Sequence, residues 1–312
     1  MTDHSLPAER LHFAWDNLLE PVLHVTPGDT VAFETWDASI HEIQRTWTSA
    51  DASKRKPKPP GVGHALTGPV AIEGARAGQT LLVEVLEVAP ARWGWTGFRP
   101  GGGLLPDDFP NGYLRIWDLE DGQFARGLEG VRIPLAPFCG VMGVALAEAG
   151  PHSTIPPRRV GGNMDVRQLT AGSMLLLPVE LDGALFSVGD AHATQGDGEV
   201  CGTAIEMDST TRLRFGLSDV AIREPQLRIP RPPTSIPGPY HGCTAHAPDL
   251  LEASRNATRW LIEWLCHETH VSAEDAYILV SVTGELRISQ VVDAPNWTVT
   301  AYFPLAVLQD RS

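Results

Sequence analysis

The sequence predicts a mainly β fold, a jelly-roll-like β sandwich with additional α+β elements in the C-terminal third. Its 312 residues include 30 glycines and 26 prolines, with short β-branched runs between them, which is the pattern of a turn-rich sheet protein. Helical periodicity is clear only late in the chain. Several strand units spread along one chain favour a sheet folded over on itself, because that arrangement protects the strand edges.

Three segments repeat one strand pattern, in which a glycine turn is followed by alternating apolar residues. They read TPGDTVAFE (26–34), RAGQTLLVE (76–84) and TAGSMLLLP (170–178), and each has apolar residues three and five positions after its glycine. Glycine permits the tight turn, and the alternation predicts a strand with one buried face. The three segments therefore predict three strands of the sandwich.

The C-terminal third adds two helices and a strand. The segment 248–268 carries an apolar stripe at helical spacing, made of Leu250, Ala253, Ala257, Trp260, Leu261, Trp264 and Leu265. Ser272 stands three residues before Asp275, as in a helix N-cap, and 285–295 has strand character again. We expect a β-rich sandwich carrying the site at 1–228, a stiff proline-rich connector at 229–239, and an α+β region at 240–312 packed on the first part.

The composition narrows the possible partners. A formal net charge of −14 disfavours nucleic acid and anionic membranes, since phosphate binding needs a basic surface. No apolar run reaches membrane-spanning length, and the N-terminus has no export signal. The four cysteines, Cys139, Cys201, Cys243 and Cys266, lie far apart without CxxC spacing. We therefore expect a cytoplasmic protein with reduced thiols and a small neutral ligand.

The segment GDAHATQGDGEV (189–200) carries the strongest chemical signal. Alternation on both sides predicts a hairpin of 184–195 with 199–207, in which Gly196 to Gly198 form the tight turn. Asp190 and His192 lie two apart on the first strand, so their side chains share a face and can form a metal-ligand or acid/base pair. Whether Glu206 joins them depends on the strand register, which the sequence leaves open.

Further carboxylates and imidazoles stand at the ends of predicted strands or among glycines: Glu34, Asp37, His64, Asn163 and Asp165. Each of them alone also fits a turn or a loop. Together with Asp190 and His192 they supply the ligand types of a metal hydrolase, although no short HExxH spacing is present.

Several blocks carry a family resemblance. FCGVMGVA, HALTGPVAIEGARAGQTLLVEV, RISQVVD and the long block 156–206 resemble the acetamidase/formamidase family, in order and over most of the chain. The resemblance implies an amidohydrolase of small linear amides, a jelly-roll-like sandwich, a homo-oligomer and a bound divalent metal, zinc or calcium. The chain departs from the family pattern after Ser39, where it reads IHEIQR, and this departure bears on substrate preference.

We hypothesise that Asp37, His64, Asp190 and His192 hold the metal, with zinc expected and calcium as the alternative. Glu148 or Glu206 would move the proton, and Glu34, Asn163 and Asp165 would bind substrate or support the site. Two other hypotheses stay open at this point. One is a covalent amidase with Cys139 or Cys201 as nucleophile, and the other is a jelly-roll binding protein without turnover.

Overall fold

The structure is a computed structural model that describes residues 2–56, 59, 62–230 and 237–308. The first half of the chain forms strands β1 to β11: Asp3–Leu6, Leu11–His12, Ala14–Trp15, Leu23–Val25, Thr30–Thr35, Leu66–Ile72, Thr80–Pro90, Trp93–Phe98, Tyr113–Asp118, Phe124–Ala125 and Ile133–Pro134. The second half forms strands β12 to β22: Phe138–Gly143, His152–Ser153, Gly161–Asn163, Met174–Pro178, Phe186–His192, Glu206–Met207, Ser209–Ser218, Gln226–Ile229, Tyr240–Ala247, Glu285–Gln290 and Trp297–Pro304.

Two helices and two short 3-10 turns complete the secondary structure of the described residues. Helix α1 is Leu250–Thr269 and helix α2 is Ala273–Thr283, while the 3-10 turns are Ser49–Lys54 and Leu305–Val307. Strands thus dominate, and both α helices lie in the C-terminal third, which confirms the predicted fold class.

Most strands belong to two sheets of nine strands each. The first sheet has the order β1-β5-β18-β7-β15-β19-β20-β22-β21. The second has the order β14-β12-β16-β17-β8-β9, with β6 paired to β16 and with β2 and β4 paired to β6. Phe186 of the second sheet meets Phe33 and Phe215 of the first, with ring centroids 5.9 and 5.1 Å apart. The two sheets therefore face each other across one apolar core, as in a β sandwich.

The three glycine-led segments form β5, β7 and β15 of the first sheet, as predicted. The predicted apolar stripe lies on α1, whose buried members are Ala253, Ala257, Leu261 and Leu265, together with Thr269. The Ser272 side chain accepts a hydrogen bond from the Asp275 N–H and caps α2. Because these signals are local, the sequence alone was sufficient to find them.

The predicted proline-rich connector joins neighbouring strands. Ile229 at the end of β19 pairs with Tyr240 at the start of β20, and residues 231–236 between them lie outside the described residues. The first sheet continues through β20 to β22 and β21, and α1 packs on β20 and β22 over a second apolar core. One sheet thus crosses the boundary at 229–239, and the division into two parts stays a prediction.

Candidate active site

The predicted hairpin around 189–207 is correct in its pairing and wrong in its turn. Strand β16 pairs antiparallel with β17, with His192 opposite Glu206, but the connection spans 193–205. A local turn does form at Gly196 to Glu199, closed by the Glu199 N–H donating to the Gly196 carbonyl at 3.3 Å, but it lies inside this connection and does not join the two strands. Within it, Gly198 forms a parallel bridge to Gln290, and the Gly198 N–H donates to the Ser289 carbonyl at 3.1 Å. The glycines therefore form a turn, but a contact with the end of β21 holds it within a longer connection between the strands.

The register places His192 and Glu206 on the outer face of the second sheet. Their neighbours Ala191 and Met207 belong to the apolar core between the sheets, and successive side chains of a strand point to opposite faces. Trp95 of β8 is directly opposite Glu206 and shares this outer face. The open question of the register is thus answered: Glu206 lies beside His192.

Three side chains meet around the His192 ring: the buried Glu206 and Asp190, and the half-buried His64. The His192 Nε2 lies 3.2 Å from Glu206 Oε2 and 3.4 Å from Asp190 Oδ2. The His64 Nε2 lies 3.7 Å from the same Asp190 oxygen. Exposure is 0% for His192, 2% for Glu206 and 4% for Asp190. Three of the predicted site residues, His64, Asp190 and His192, and the provisional Glu206 therefore converge.

Gln195 fixes the orientation of the His192 ring. The His192 Nδ1 lies 2.9 Å from the Gln195 side-chain carbonyl oxygen, which can only accept, so this nitrogen carries the proton. The Gln195 amide in turn donates to the Asp165 carbonyl at 3.0 Å. In the neutral ring the Nε2 lone pair then faces the two carboxylates, and this is the arrangement of a metal-ligating histidine held by an outer partner.

A second group of acids lies on the other side of His192. Asp165 and Glu199 are 1% and 8% exposed, and with His192 they form a set of ligand atoms within 4.8 Å of one another. Asp190, His192 and Glu206 form another such set. The half-buried Asp293 adds a carboxylate whose Oδ2 is enclosed. The structure thus gathers five carboxylates around two imidazoles.

This crowding shifts the acid pKa values in opposite directions. Burial, and then the charge of neighbouring carboxylates, raises the pKa values of Asp165 and Glu199 well above the ordinary range, and burial raises the pKa of Asp293 to about 7. For Asp190 burial also disfavours the charged form, but the His64 and His192 imidazoles hold its pKa below the ordinary value. The site therefore contains both carboxylates and carboxylic acids near neutral pH.

Burial and neighbouring charges also act against each other on the pKa values of His192 and Glu206. Burial alone would lower the pKa of His192, but the charges of Glu206 and Asp190 raise it well above its ordinary value. Burial raises the pKa of Glu206 to about 7, against the pull of His192. A carboxylate with a pKa near 7 can take up and return a proton at neutral pH.

Buried atoms without hydrogen-bond partners point to a cation. Among the described residues, Asp190 Oδ1, His192 Nε2, Glu206 Oε2 and both carboxylate oxygens of Asp165 are enclosed and accept or donate no hydrogen bond. Leaving such groups unpaired costs about 1–3 kcal/mol each, and more when they are charged. A metal ion among these atoms would satisfy them, so the residues fit the predicted metal in donor type and in number.

The backbone at the site is strained in three places. Asp165, Asp190 and Glu199 have φ angles of 51°, 56° and 48°, which are left-handed conformations that non-glycine residues seldom adopt. Each such residue costs on the order of 1–3 kcal/mol, and the strain persists only where the surroundings enforce it. The fold therefore stabilises these three conformations, and all three aim acidic side chains into one site.

Gly140 of β12 lies directly against three side chains of the site. A Cβ atom at this position would contact Asp165 Oδ1, His192 Cε1 at 2.8 Å and Asp190 Oδ2 at 3.1 Å. Those three side chains come from β16 and from the residues after β14, so they meet only in the folded protein. A residue without a side chain is needed here to leave room for them.

The other predicted site residues lie elsewhere. The Asp37 carboxylate accepts hydrogen bonds from Trp95 Nε1 at 2.8 Å and from the Ser39 N–H at 2.7 Å, and its possible metal partners are His41 and Asp208 rather than the His192 group. Glu34 is exposed on β5, and Glu148 is exposed in the loop after β12. The structure does not bring these three residues into the ligand sets around His192, because their places in the sequence do not tell which side chains the fold brings together.

Asn163 is buried and lies two residues before Asp165 of the site. It is 2% exposed on β14, opposite Val141 of β12, and its Oδ1 has no hydrogen-bond partner among the described residues. Asp165 lies two residues further on, within the site. Asn163 therefore lies next to the site along the chain, and its predicted supporting role stays a prediction.

Several site residues were missed by sequence reasoning. Gln195 and Glu199 stand in the segment 189–200 but were not identified because a turn was expected there, and Asp293 lies far beyond that segment in the sequence. Gly140 gave no chemical signal at all. The one usable clue for Asp293 was its place as the final residue of RISQVVD, the last block of the family resemblance.

The cysteines offer no activated thiol at the site. Cys139 is buried in the apolar core, and burial raises the pKa of its thiol to about 11. Cys201 lies in the 193–205 connection, where its Sγ contacts the Thr203 carbonyl at 3.3 Å. All four cysteines are described and none forms a disulfide, which agrees with the expectation of free thiols.

Comparison with known proteins gives the family. The model of the Acetamidase/Formamidase family matches residues 2–152 and 145–310. A formamidase from Methylophilus methylotrophus is 27% identical over 96% of this chain and 90% of its own. An acetamidase of known structure from Bacillus halodurans is 30% identical, with a TM-score of 0.86 over 97% of this chain and 98% of its own. An acetamidase from Yersinia enterocolitica is 29% identical, with a TM-score of 0.88 over 99% of this chain and 93% of its own.

The fold and the site define a β-sandwich protein with a buried histidine–carboxylate centre. The chain belongs to the acetamidase/formamidase family, as the sequence blocks indicated. It is a hydrolase that acts on the carbon–nitrogen bonds of linear amides. Among the described residues, no helix is both long and apolar enough to cross a membrane.

Proposed function

We propose that the protein hydrolyses a small linear amide of the formamide or acetamide kind with the help of a divalent metal held at His192, and that this metal is zinc. The observation that carries the proposal is the His192 ring, whose Nδ1 is bound to Gln195 and whose Nε2 faces two buried carboxylates. Imidazole nitrogen is a common zinc ligand, whereas calcium takes six to eight oxygens, so the donor set favours zinc over calcium.

Three of the predicted ligands support this assignment. His64, Asp190 and His192 would hold the ion, and two imidazoles with one carboxylate are a frequent set in catalytic zinc sites. Such an ion polarises an amide carbonyl and lowers the pKa of water to near 7. Asp165 would support the site from the opposite side of the His192 ring. Asp37 would contribute to the site only indirectly, by accepting the hydrogen bond that holds the Trp95 ring beside Glu206.

Glu206 would serve as the proton shuttle. Its Oε1 accepts from the Ala204 N–H at 2.8 Å, which fixes the carboxylate, while Oε2 faces His192. The water oxygen bonds to the carbonyl carbon as one water proton passes to Glu206. The carbon–nitrogen bond then breaks as that proton passes to nitrogen, which gives a carboxylic acid and ammonia. The remaining acid proton, which also came from the water, then passes to ammonia and leaves a carboxylate and ammonium. The exposed Glu148 is not needed for these steps.

The test combines metal content with ammonia release. We expect the purified protein to contain zinc by elemental analysis and to release ammonia from at least one amide in a panel that includes formamide and acetamide. Removal of the metal by a chelator should abolish turnover, and zinc should restore it. A protein shown to be metal-free that retains the full rate would refute the metal's role.

The same assay separates the two alternative hypotheses. A covalent cysteine mechanism predicts that alkylation of Cys201, the less buried of its two candidates, stops turnover, whereas metal-assisted hydrolysis predicts no effect. A binding protein without turnover predicts no ammonia from any amide even with zinc present. Homo-oligomerisation and a cytoplasmic location stay predictions, to be measured by light scattering and by cell fractionation.

A further inference from the structure

One cation lies beside the candidate site without a hydrogen-bond partner for its buried donors. Arg55 follows the 3-10 turn Ser49–Lys54, and its Nε and Nη1 are enclosed with no acceptor among the described residues. Its guanidinium carbon lies 4.7 Å from the centroid of the Trp95 ring. A buried guanidinium with idle donors is costly, so the arrangement calls for a ligand.

Trp95 connects Arg55 to the site. Its backbone is paired directly with Glu206, so the two side chains are neighbours on the outer face of the second sheet. The Trp95 ring is 1% exposed, and Asp37 holds its Nε1. Stacking on the ring uses the flat face of the guanidinium, and the N–H groups at its edge stay available to donate. Arg55 therefore lies beside Glu206, the carboxylate that we propose as the proton shuttle.

The nearby acids do not use these donors. Burial, and then the positive charge of Arg99, lowers the pKa of Arg55. The charges of Glu42, Glu206 and Asp37 oppose that shift, which identifies them as the acids around it. The Glu42 Oε1 accepts from the Lys56 N–H at 2.6 Å, and the Asp37 oxygens accept from Trp95, Ser39 and His41. Glu206 Oε2 faces His192 instead. Arg55 is thus held in place by charge, while no acceptor in the described part of the chain takes its Nε or Nη1 donors.

We infer that Arg55 binds the carbonyl oxygen of the amide substrate and the oxygen of the carboxylate product, beside Glu206. The inference rests on the proposed function of this site. As water adds to the carbonyl carbon, the carbonyl electron pair moves onto oxygen, and a fixed cationic donor stabilises that negative charge. Removal of one such donor lowers kcat by about 100- to 1000-fold in other hydrolases.

The test uses acetate as the probe, because acetate binding does not require turnover. We expect Arg55→Met to weaken acetate binding, measured by calorimetry on the metal-loaded protein, by at least about 10-fold, the loss of one charged hydrogen bond. Lys54→Met is the matched control. It removes the same charge one residue earlier, from a side chain that is 64% exposed and paired with Asp51, and it should leave the acetate affinity unchanged.

Kinetic rescue distinguishes binding from a packing role. We expect Arg55→Ala to lose kcat/KM by about 100-fold and added ethylguanidinium to restore part of it, whereas Arg55→Lys should retain more activity than Arg55→Met. Thermal unfolding of each variant checks that the protein is folded. Wild-type acetate affinity in folded Arg55→Met overturns the inference, and so does an activity loss that ethylguanidinium does not rescue.

The outcomes also separate this inference from the proposed function. If wild-type protein releases ammonia with zinc and Arg55→Met does the same at an equal rate, the proposed function stands and the Arg55 inference fails. If wild-type protein releases no ammonia from any amide, the proposed function fails. The acetate measurements then still decide whether Arg55 binds carboxylate oxygens.

Discussion

At the scale of single residues, the site depends on contacts that fix one imidazole and leave space around it. His192 is held through Nδ1 by Gln195, and Gly140 leaves room for the ring and for two carboxylates. Neither residue carries out chemistry in our proposal. Both determine whether the chemical groups can meet, so substitutions at these two positions test the geometry of the site directly.

Replacement of Gln195 by Leu should weaken the site without unfolding the protein. The change removes the acceptor that keeps the proton on His192 Nδ1, and loss of such an outer partner costs about 10- to 100-fold in metal affinity or activity. The measurements are zinc content and kcat. Gln123→Leu, in an exposed turn, is the control. Equal zinc affinity and equal rates in Gln195→Leu and wild type would show that Gln195 does not orient the ring.

Replacement of Gly140 by Ala should abolish turnover while the fold survives. The added methyl group would overlap Asp165 Oδ1 and approach His192 Cε1 to 2.8 Å, so at least one ligand must move. Gly196→Ala is the matched control, because a Cβ there meets nothing within 4 Å. Ammonia release and zinc content are compared at equal protein concentration. Full activity in Gly140→Ala would mean that the three side chains are not fixed where the structure places them.

At the scale of elements, strand β16 organises the site because it has neighbours on both sides. Strand β12 brings Gly140, β17 brings Glu206, and β16 itself supplies Asp190 and His192. Helices α1 and α2 lie at the other end of the chain and pack on β20 and β22. Their contribution is to stability, so helix substitutions should change unfolding without changing the chemistry.

The cap of α2 gives a test of this separation. Ser272→Ala removes the acceptor for the Asp275 N–H and should lower the free energy of unfolding by about 1 kcal/mol. Ser272→Asp keeps an acceptor at the same place and should retain most of the stability. Urea unfolding measures both variants, and ammonia release should equal that of wild type. A fall in kcat in Ser272→Ala would show that the helical region is coupled to the site.

At the scale of the whole molecule, buried histidines make stability depend on pH. His241 is 2% exposed and stacks on Trp264 with ring centroids 3.8 Å apart. Burial, together with the charge of Arg228, lowers its pKa from 6.5 to about 3. The unfolded chain therefore binds a proton between pH 6.5 and 3 that the folded protein does not. The stability from the neutral ring is complete above pH 6.5 and is lost as the pH falls toward 3.

Replacement of His241 by Phe should flatten this pH dependence. The variant keeps a ring against Trp264 and removes the titrating group, so the slope of unfolding free energy against pH should fall by up to about 1.4 kcal/mol per pH unit in this window. Denaturant unfolding at several pH values between 4 and 7 measures the slope, which corresponds to the uptake of about one proton on unfolding. The control His267→Asn changes an exposed ring on α1 and should leave the slope as in wild type. An unchanged slope in His241→Phe would contradict the prediction.

The sequence by itself determined the features that depend on neighbouring residues. Glycine turns, alternation and helical periodicity identified β5, β7, β15, α1 and α2, and the two-residue spacing of Asp190 and His192 identified the core of the site. Strand and helix periods are local properties, so no knowledge of the fold was needed. The family blocks gave the reaction class in the same way.

Only the tertiary structure decided which distant residues join that pair. It brought in Glu206 through the register of β17, Gln195 and Glu199 through a connection held by Gln290, and Asp293 from beyond β21. It also kept Glu34, Asp37 and Glu148 out of the His192 group. The physical reason is that register and sheet membership follow from packing across the whole sandwich, and a one-residue shift would turn every side chain of a strand to the opposite face.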